Sequence, residues 1–444
     1  MGRRTKTQRL NIWMNGIPVG YWETGRQGER LGYFDEWLAD EQSRPLSLSL
    51  PFLPGNAPYQ GQVVTSYFDN LLPDNDAIRR RLAGRHHTGG TDAFRLLAKL
   101  GRDCVGAIQL LPEDQAPTDT YEINGEKLDA TGIAQLLRNT TSTQALGHHD
   151  HEENLRLSIA GAQEKTALLR HKGQWHFPLG SSPTTHIFKL PLGLVGHMQA
   201  DMRTSVENEW LCSKIMEVYG IPIAQCEIAH FEDQKVLVVE RFDRTLSSDE
   251  SWIVRLPQED MCQATGTSPL HKYQGEGGPG IARIMELLLG SDEPEQDREN
   301  FFKTQIIFWV LAATDGHGKN FSIALLPRGH YRATPIYDVL SAHPVIGKRK
   351  NQIPTHKARL AMAVRGSTNY YLISQIQHRH WIAQAQQVAL GAATAERLIE
   401  EVAESTEHVI DQVSRLLPKD FPMDIAEAIF SGMRKQSEKL ATAV

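Results

Sequence analysis

Between Arg9 and Tyr33 apolar and polar positions alternate: Leu10, Ile12, Trp13, Val19, Tyr21 and Trp22 are punctuated by Asn15-Gly16 and later by Gly25. Period-two alternation on either side of Asn-Gly is a hairpin pattern, so a small antiparallel sheet is expected here. Ser66 to Leu82 carries Phe68, Leu71 and Leu72, breaks at Pro73-Asp74, and continues as Ile78-Arg79-Arg80-Arg81-Leu82, which predicts a basic amphipathic helix after the break. Ala93 to Leu100 has helical spacing and is ended by Gly101, and Val105 to Leu111 returns to strand character. These elements together predict a separate α+β subdomain. Glu113 to Thr120 is polar and proline-bearing, a connection, and Gly147-His148-His149-Asp150-His151-Glu152-Glu153 marks a boundary. Its three histidines raise a metal site as one reading; without fixed helical spacing, a solvated loop is the expectation.

From Leu155 the pattern changes. Leu155-Arg156-Leu157-Ser158-Ile159 reads as a strand, Ala160-Gly161-Ala162-Gln163-Glu164-Lys165 as a tight turn, and Thr166 to Arg170 as a returning strand. Thr185 to Leu190 is another strand, with Lys189 near its end. Val206, Trp210, Ile215 and Met216 place a helix over Ser205 to Tyr219, stopped by Gly220. Val236 to Glu240 is a buried strand from which Arg241-Phe242-Asp243 departs. Helices are expected thereafter at Ile281 to Leu289, Asn300 to Ala313, Tyr371 to Gln387 and Ala395 to Leu417. A strand-rich half followed by a helix-rich half suits two lobes, and no internal repeat is visible.

Composition narrows the class. The 444 residues leave room for more than one domain, and 40% hydrophobic with 23% charged residues is ordinary for a globular protein. A net charge of -6 announces no nucleic-acid binder, although a local basic patch can still act as one. Cys104, Cys212, Cys226 and Cys262 are far apart with no Cys-x-x-Cys spacing, which argues against a zinc ribbon or disulfide framework and for buried thiols in a reducing cytosol. The basic start, Arg3 to Arg9, has no apolar core behind it, so no secretory signal is expected. The run Ile306 to Ala313 is too short to span a membrane. The expectation is a cytoplasmic protein.

The chemistry concentrates in Thr314-Asp315-Gly316-His317-Gly318-Lys319-Asn320 and, further on, Pro335-Ile336-Tyr337-Asp338. An acid, then an amide, then a second acid is the order in which a phosphoryl-transfer site presents its base and its magnesium ligands. Asp315 follows the apolar Phe308-Trp309-Val310-Leu311 and Asp338 has its own apolar approach, so each is delivered from the core into a loop. A glycine-rich turn, with Asp315 capping and Asn320 in a left-handed position, is the competing reading of the first stretch alone. Lys189 in an apolar strand wants an anion, either phosphate or Glu209 on the following helix, unless it lies at an edge and reaches water. The turn Ser158 to Lys165 holds one glycine and is no Walker motif. The run Lys348-Arg349-Lys350, with Lys357 and Arg359, is either a solvated loop or a face for an acidic partner.

With these residues placed, the chain resembles the HipA family of bacterial serine/threonine kinases, the toxins of HipBA toxin-antitoxin modules. The resemblance is carried by Arg44-Pro-Leu-Ser-Leu-Ser-Leu-Pro51, Phe68-Asp-Asn-Leu-Leu-Pro-Asp74, Gly101-Arg-Asp-Cys-Val-Gly-Ala107, Ser158-Ile-Ala-Gly-Ala-Gln-Glu-Lys165, Pro183-Thr-Thr-His186, Glu240-Arg-Phe-Asp243, Arg255-Leu-Pro-Gln-Glu-Asp-Met-Cys262, Gly277-Gly-Pro-Gly-Ile-Ala-Arg283 and Thr314 to Asn320. It implies an α+β, bilobal protein-kinase-like fold with an additional N-terminal subdomain: residues 1–147, a nucleotide-binding lobe at 148–243 and a helical lobe at 244–444. It implies Asp315 as catalytic base, Asn320 and Asp338 as magnesium ligands and Lys189 as the phosphate-binding lysine, with Glu209 its ion-pair candidate. Ala160, Gly161, Ala162, Gln163, Glu164 and Lys165 would form the phosphate loop, and Glu240, Arg241 and Phe242 the adenine-contacting hinge. His317, Gly318, Lys319 and Tyr337 would make further ATP contacts, and Ser158 would be an autophosphorylated, self-inactivating serine.

The cofactors implied are ATP and Mg2+. The partners implied are a helix-turn-helix antitoxin of the HipB kind, operator DNA mainly through that antitoxin, and a protein substrate, glutamyl-tRNA synthetase in the type member. The outcome expected is growth arrest and persistence. One stretch departs from the family: where a C-terminal-lobe helix offers basic side chains to DNA, this chain reads Ala385-Gln386-Gln387-Val388-Ala389, with Arg379 and His380 nearby. Two other classes compete with the reading, a small-molecule kinase with similar acid-to-Asn spacing and a non-catalytic corepressor subunit.

Overall fold

A computed structural model describes residues 7–141, 163–196 and 199–441. The chain forms two compact units that interleave in sequence: Met1–Leu190, Ala229–Leu270 and Ile323–His330 make one, and Pro191–Ile228, His271–Ser322 and Tyr331–Val444 the other.

The first unit begins with the expected antiparallel meander, Gln8–Met14, Ile17–Gly25 and Gly28–Tyr33, flanked by Ile108–Pro112 on one edge and Tyr59–Gln60 on the other. Asn15 (φ 48°) and Gly16 (φ 83°) are both left-handed, the backbone that an Asn-Gly hairpin turn demands. Leu10, Ile12 and Met14 point to one face, as the alternation requires, and Trp22 stacks on Phe68 with ring centroids 3.8 Å apart. Phe68 lies on the helix Gln62–Asp69, and Phe94, edge-on to the same Trp22, on Ala93–Leu100, so two helices close this core. Pro73 separates the first from the basic helix Asp76–Arg85, which Asn75 caps by accepting from the Ala77 N–H at 2.8 Å.

A second sheet follows in the same unit. Its strands run Gln234–Glu240, His186–Lys189, Lys165–His171, Gln174–Pro178 and Gly125–Leu128 in spatial order, with Cys226–Phe231 completing the edge beyond Gln234–Glu240. Helix Ala130–Thr141 covers it, burying Ile133 and Leu137 against Leu168, Phe188 and Val236.

The two subdomain motifs meet in a buried ionic cluster. Asp103 accepts from Arg244 (3.0 Å), Arg255 (3.4 Å) and the Thr184 hydroxyl (2.7 Å), and Asp243 accepts from Arg241 (2.8 Å) and the Gly106 N–H (2.7 Å). Burial alone would raise the Asp103 carboxyl, but Arg244, Arg241 and Arg255 overcome it and hold the group below its ordinary range.

The second unit is mainly helical: Ser205–Val218, Pro294–Val310, His378–Gln387, Ala392–Ser414 and Met423–Ala441. Helix Pro294–Val310 starts six residues before the expected Asn300, because Pro294 is suited to a first helical turn. It is buried on all sides from Phe301 to Val310, which makes it the central helix. The helix expected over Tyr371 to Gln387 is corrected. Asn369–Leu372 is instead a strand paired with Arg359–Arg365, and the helix begins only at His378, since aromatic Tyr370 and Tyr371 suit a pleated surface. Among the described residues no helix is long and apolar enough to cross a membrane. The four cysteines are free, three of them buried as expected and Cys226 half-buried.

Candidate active site

The central helix delivers the Asp315 loop through a specific stop. The Ala313 N–H bonds the Phe308 carbonyl at 2.8 Å and the Ala312 N–H the Trp309 carbonyl at 3.2 Å, with Ala312 left-handed at φ 49°. This is a Schellman turn with alanine where glycine is usual. The chain then emerges from the core with Asp315, whose side chain is 63% exposed. Gly316 is required by space: a Cβ there would lie 2.5 Å from the Phe308 ring.

Beyond Asp315 the loop is tightly tied. His317 and Asn320 form a reciprocal cap, in which Asn320 Oδ1 accepts from the His317 N–H at 3.1 Å. Asn320 Nδ2 donates to Asp338 Oδ2 at 3.2 Å, so the amide and the second acid, 18 residues apart, meet. His317, Lys319 and Asn320 are buried. The Tyr337 hydroxyl lies 2.5 Å from Ser322 Oγ and donates to the Lys319 carbonyl at 2.9 Å, which joins the loop to the segment bearing Asp338.

That segment is fastened twice more. Ser341 Oγ donates to the Leu311 carbonyl at 2.6 Å, and Asn208 exchanges two hydrogen bonds of 2.8 Å with the Ser341 backbone. Asn208 lies on Ser205–Val218, the helix that carries the buried Glu209. Asp338 is held left-handed at φ 63°, a conformation uncommon for a residue with a Cβ and retained where surrounding contacts enforce it.

The Asn320 amide oxygen and the Asp338 carboxylate are hard donors of the kind Mg2+ takes. The pair fits that ion: the His317 N–H uses one lone pair of Asn320 Oδ1, and the oxygen has two. Among the described residues no group of three or more His, Cys, Asp or Glu side chains forms a further metal cluster.

In the first unit, Lys189 is buried and stands directly opposite Lys165 on the neighbouring strand. Like charges facing across a ladder repel. The chain leading into Lys165 is anchored. Gln163 Nε2 donates to the Leu190 carbonyl, the Leu190 N–H to the Glu164 carbonyl at 3.2 Å, and Glu164 is ion-paired with Arg81 of the basic helix. Ser158, Ala160, Gly161 and Ala162 lie outside the described residues, as does the loop His148 to Glu153.

Arg241 is tied into the ionic cluster. Its N–H donates to the Thr185 carbonyl at 2.9 Å and its guanidinium is committed to Asp243, Asp103 and the Cys104 carbonyl. Glu240 is exposed at the strand end and Phe242 is half-buried. Lys189 belongs to the first unit and Glu209 to the second, with Asp315, Asn320 and Asp338. The sequence reading missed Asn208, which carried no signal, and Tyr273, whose hydroxyl donates to Asp315 Oδ1 at 2.5 Å. Tyr273 lies just ahead of the glycine-rich Gly277-Gly278-Pro279-Gly280.

Two family models match the chain: the HipA N-terminal domain over residues 10–111 and the HipA-like C-terminal domain over residues 157–410. A Sinorhizobium fredii protein named "Putative kinase Y4mE" is 33% identical over 91% of both chains. The "Serine/threonine-protein kinase toxin HipA" of Shewanella oneidensis is 27% identical over 76% of both. The solved complex of Shewanella oneidensis HipA with HipB and its operator DNA superposes with a TM-score of 0.78 at 22% identity, over 97% of this chain and 96% of that one, and so shares the fold. The second unit's Asp315 loop and the first unit's paired lysines both fall inside the C-terminal match, and the chain belongs to the HipA family of toxin kinases.

Proposed function

We propose that the protein is an ATP- and Mg2+-dependent serine/threonine protein kinase that acts as a growth-arresting toxin. The observation that carries the reading is the hydrogen bond between Asn320 and Asp338, on the loop that presents an open Asp315. In the reaction, the serine O–H bond breaks and its proton passes to Asp315. The serine oxygen bonds to the γ-phosphorus, and the bridging oxygen leaves with ADP. Asn320 and Asp338 would hold the magnesium, which would neutralise charge developing on the phosphates. Lys189, Lys165, Gln163 and Glu164, with Ala160, Gly161 and Ala162, bind the phosphates. Glu240, Arg241 and Phe242 border the adenine, and His317, Gly318, Lys319 and Tyr337 line the nucleotide.

The substrate is a serine of a cytosolic protein, glutamyl-tRNA synthetase by family expectation, and its modification stalls translation and promotes persistence. Autophosphorylation of Ser158 switches the enzyme off, because a phosphoserine of about -1.5 to -2 charge beside the phosphate loop repels ATP. A helix-turn-helix antitoxin neutralises the kinase and carries it to operator DNA. The tripartite division at 147 and 243 follows the same reading.

Expression of the chain with Asp315 intact or as Asp315→Asn, each with and without the antitoxin gene, tests this in cells. Arrest by the first alone, relieved by the antitoxin, is expected. Equal arrest by both forms would contradict the kinase mechanism. Ser158→Ala is expected to remain toxic, and loss of toxicity and ATP turnover together would sink the off-switch.

A further inference from the structure

An aspartate that is 63% exposed is not fixed by packing, so polar contacts decide where its carboxylate points. Two are in place at Asp315 Oδ1: the Tyr273 hydroxyl donates to it at 2.5 Å, and His317 Nε2 lies 4.0 Å away. The Tyr273 ring stands edge-on to the His317 ring, with centroids 5.0 Å apart at 85°. His317 is itself buried, with its side chain capping the Asn320 N–H. The ring is thus braced by the same loop whose acid its hydroxyl meets.

The turn beneath Tyr273 is rigid. Its carbonyl accepts from the Glu276 and Gly278 N–H groups at 2.9 and 3.0 Å. The Gly318 N–H of the catalytic loop donates to the Lys272 carbonyl at 3.2 Å, and Gln274 Oε1 accepts from the Ala363 N–H at 2.7 Å. Gly278 is needed for this closeness, since a Cβ there would sit 2.2 Å from the His271 carbonyl oxygen.

We propose that Tyr273 is a positioning residue for phosphoryl transfer: its hydroxyl pins Asp315 Oδ1 and leaves Oδ2 to take the proton of the incoming serine. The inference rests on the kinase reading above. A pinned carboxylate meets the hydroxyl in a near-attack geometry without first losing rotamer freedom.

Tyr273→Phe removes the hydroxyl and keeps the ring against His317. Steady-state assays of purified wild type, Tyr273→Phe and Asp315→Asn on a serine-containing protein substrate separate the possibilities. For Tyr273→Phe, kcat is expected to fall by about tenfold to a hundredfold with ATP KM unchanged, an orientation effect. The KM for the protein substrate should likewise stay unchanged, a split that a merely structural role would not give. A fluorinated tyrosine at 273, similar in shape and still a donor, should keep kcat near the wild-type value, and it gives a readout even if the Phe variant folds poorly. Wild-type or faster turnover by Tyr273→Phe would overturn the assignment, because the hydroxyl would then only occupy the substrate's place. Should Asp315→Asn retain wild-type transfer, the kinase reading itself fails. Should it be inactive while Tyr273→Phe behaves as wild type, only the Tyr273 role falls.

Discussion

Asn320 donates to Asp338 across 3.2 Å, and Asp338 makes that contact from a left-handed backbone at φ 63°. A capped loop and a strained turn are held face to face, in the order a magnesium pair requires.

Strain retained at a proposed metal ligand separates stability from activity. Asp338→Gly relieves the Cβ clash of the left-handed backbone but frees the unfolded chain, and the two effects offset to within about 1 kcal/mol. Thermal melting should therefore change by a few degrees at most. Phosphoryl transfer should drop at least about a hundredfold, since the charge that holds the metal is gone.

Lys189 faces Lys165 across the ladder, and both serve an anion in the account above. Lys189→Met keeps the length and the burial of the side chain and removes its charge. The expected result is a near-native circular dichroism spectrum with ATP KM raised about tenfold or more, read from initial rates against ATP concentration. An unchanged ATP KM would remove Lys189 from the site.

The buried cluster around Asp103 is a matter of stability. Asp103→Asn leaves Arg244, Arg241 and Arg255 in the interior with Asp243 as the remaining carboxylate of the cluster. Breaking a buried ion pair from one side costs about 3 to 5 kcal/mol. Urea unfolding should show that loss, and a variant as stable as wild type would mean that water reaches the cluster.

Glu259 gives a pH signature. It is fully buried, accepts from the Leu48 N–H at 2.8 Å, and burial pushes its carboxyl up to about 8 from an ordinary 4.5. The folded state thus holds a proton that the unfolded state releases earlier. Its contribution to stability is full below pH 4.5 and is lost as pH rises through about 8. Glu259→Gln keeps an acceptor and removes the titration. The difference in melting temperature between variant and wild type should therefore grow in the variant's favour from pH 5 to about 9.

Much of the fold was legible because local chemistry and tertiary context agreed. Asn15-Gly16 forms the turn that its backbone preference demands, and Ala93–Leu100 occupies the helix that its spacing requires. The Asp315 and Asp338 loops were legible for a related reason, since each is a short polar stretch delivered by a buried segment. Other features had no local signal. The pairing of Arg359–Arg365 with Asn369–Leu372 is a tertiary choice that overrides helical spacing in Tyr371 to Gln387. The motifs around Asp103, Arg241 and Arg255, which carried the resemblance, converge on one buried ionic cluster that only their meeting in three dimensions reveals. Asn208 and Tyr273 act through side-chain contacts 133 and 42 residues distant, beyond what periodicity reports.

The central claim is that Asp315 is the base of a phosphoryl-transfer site. It is tested most directly by incubating the purified chain and its Asp315→Asn variant with γ-labelled ATP, Mg2+ and cytosolic protein. The account predicts label on protein serine with the wild-type chain, none without Mg2+, and a loss of at least about a hundredfold in the variant. Equal labelling by both proteins would contradict it.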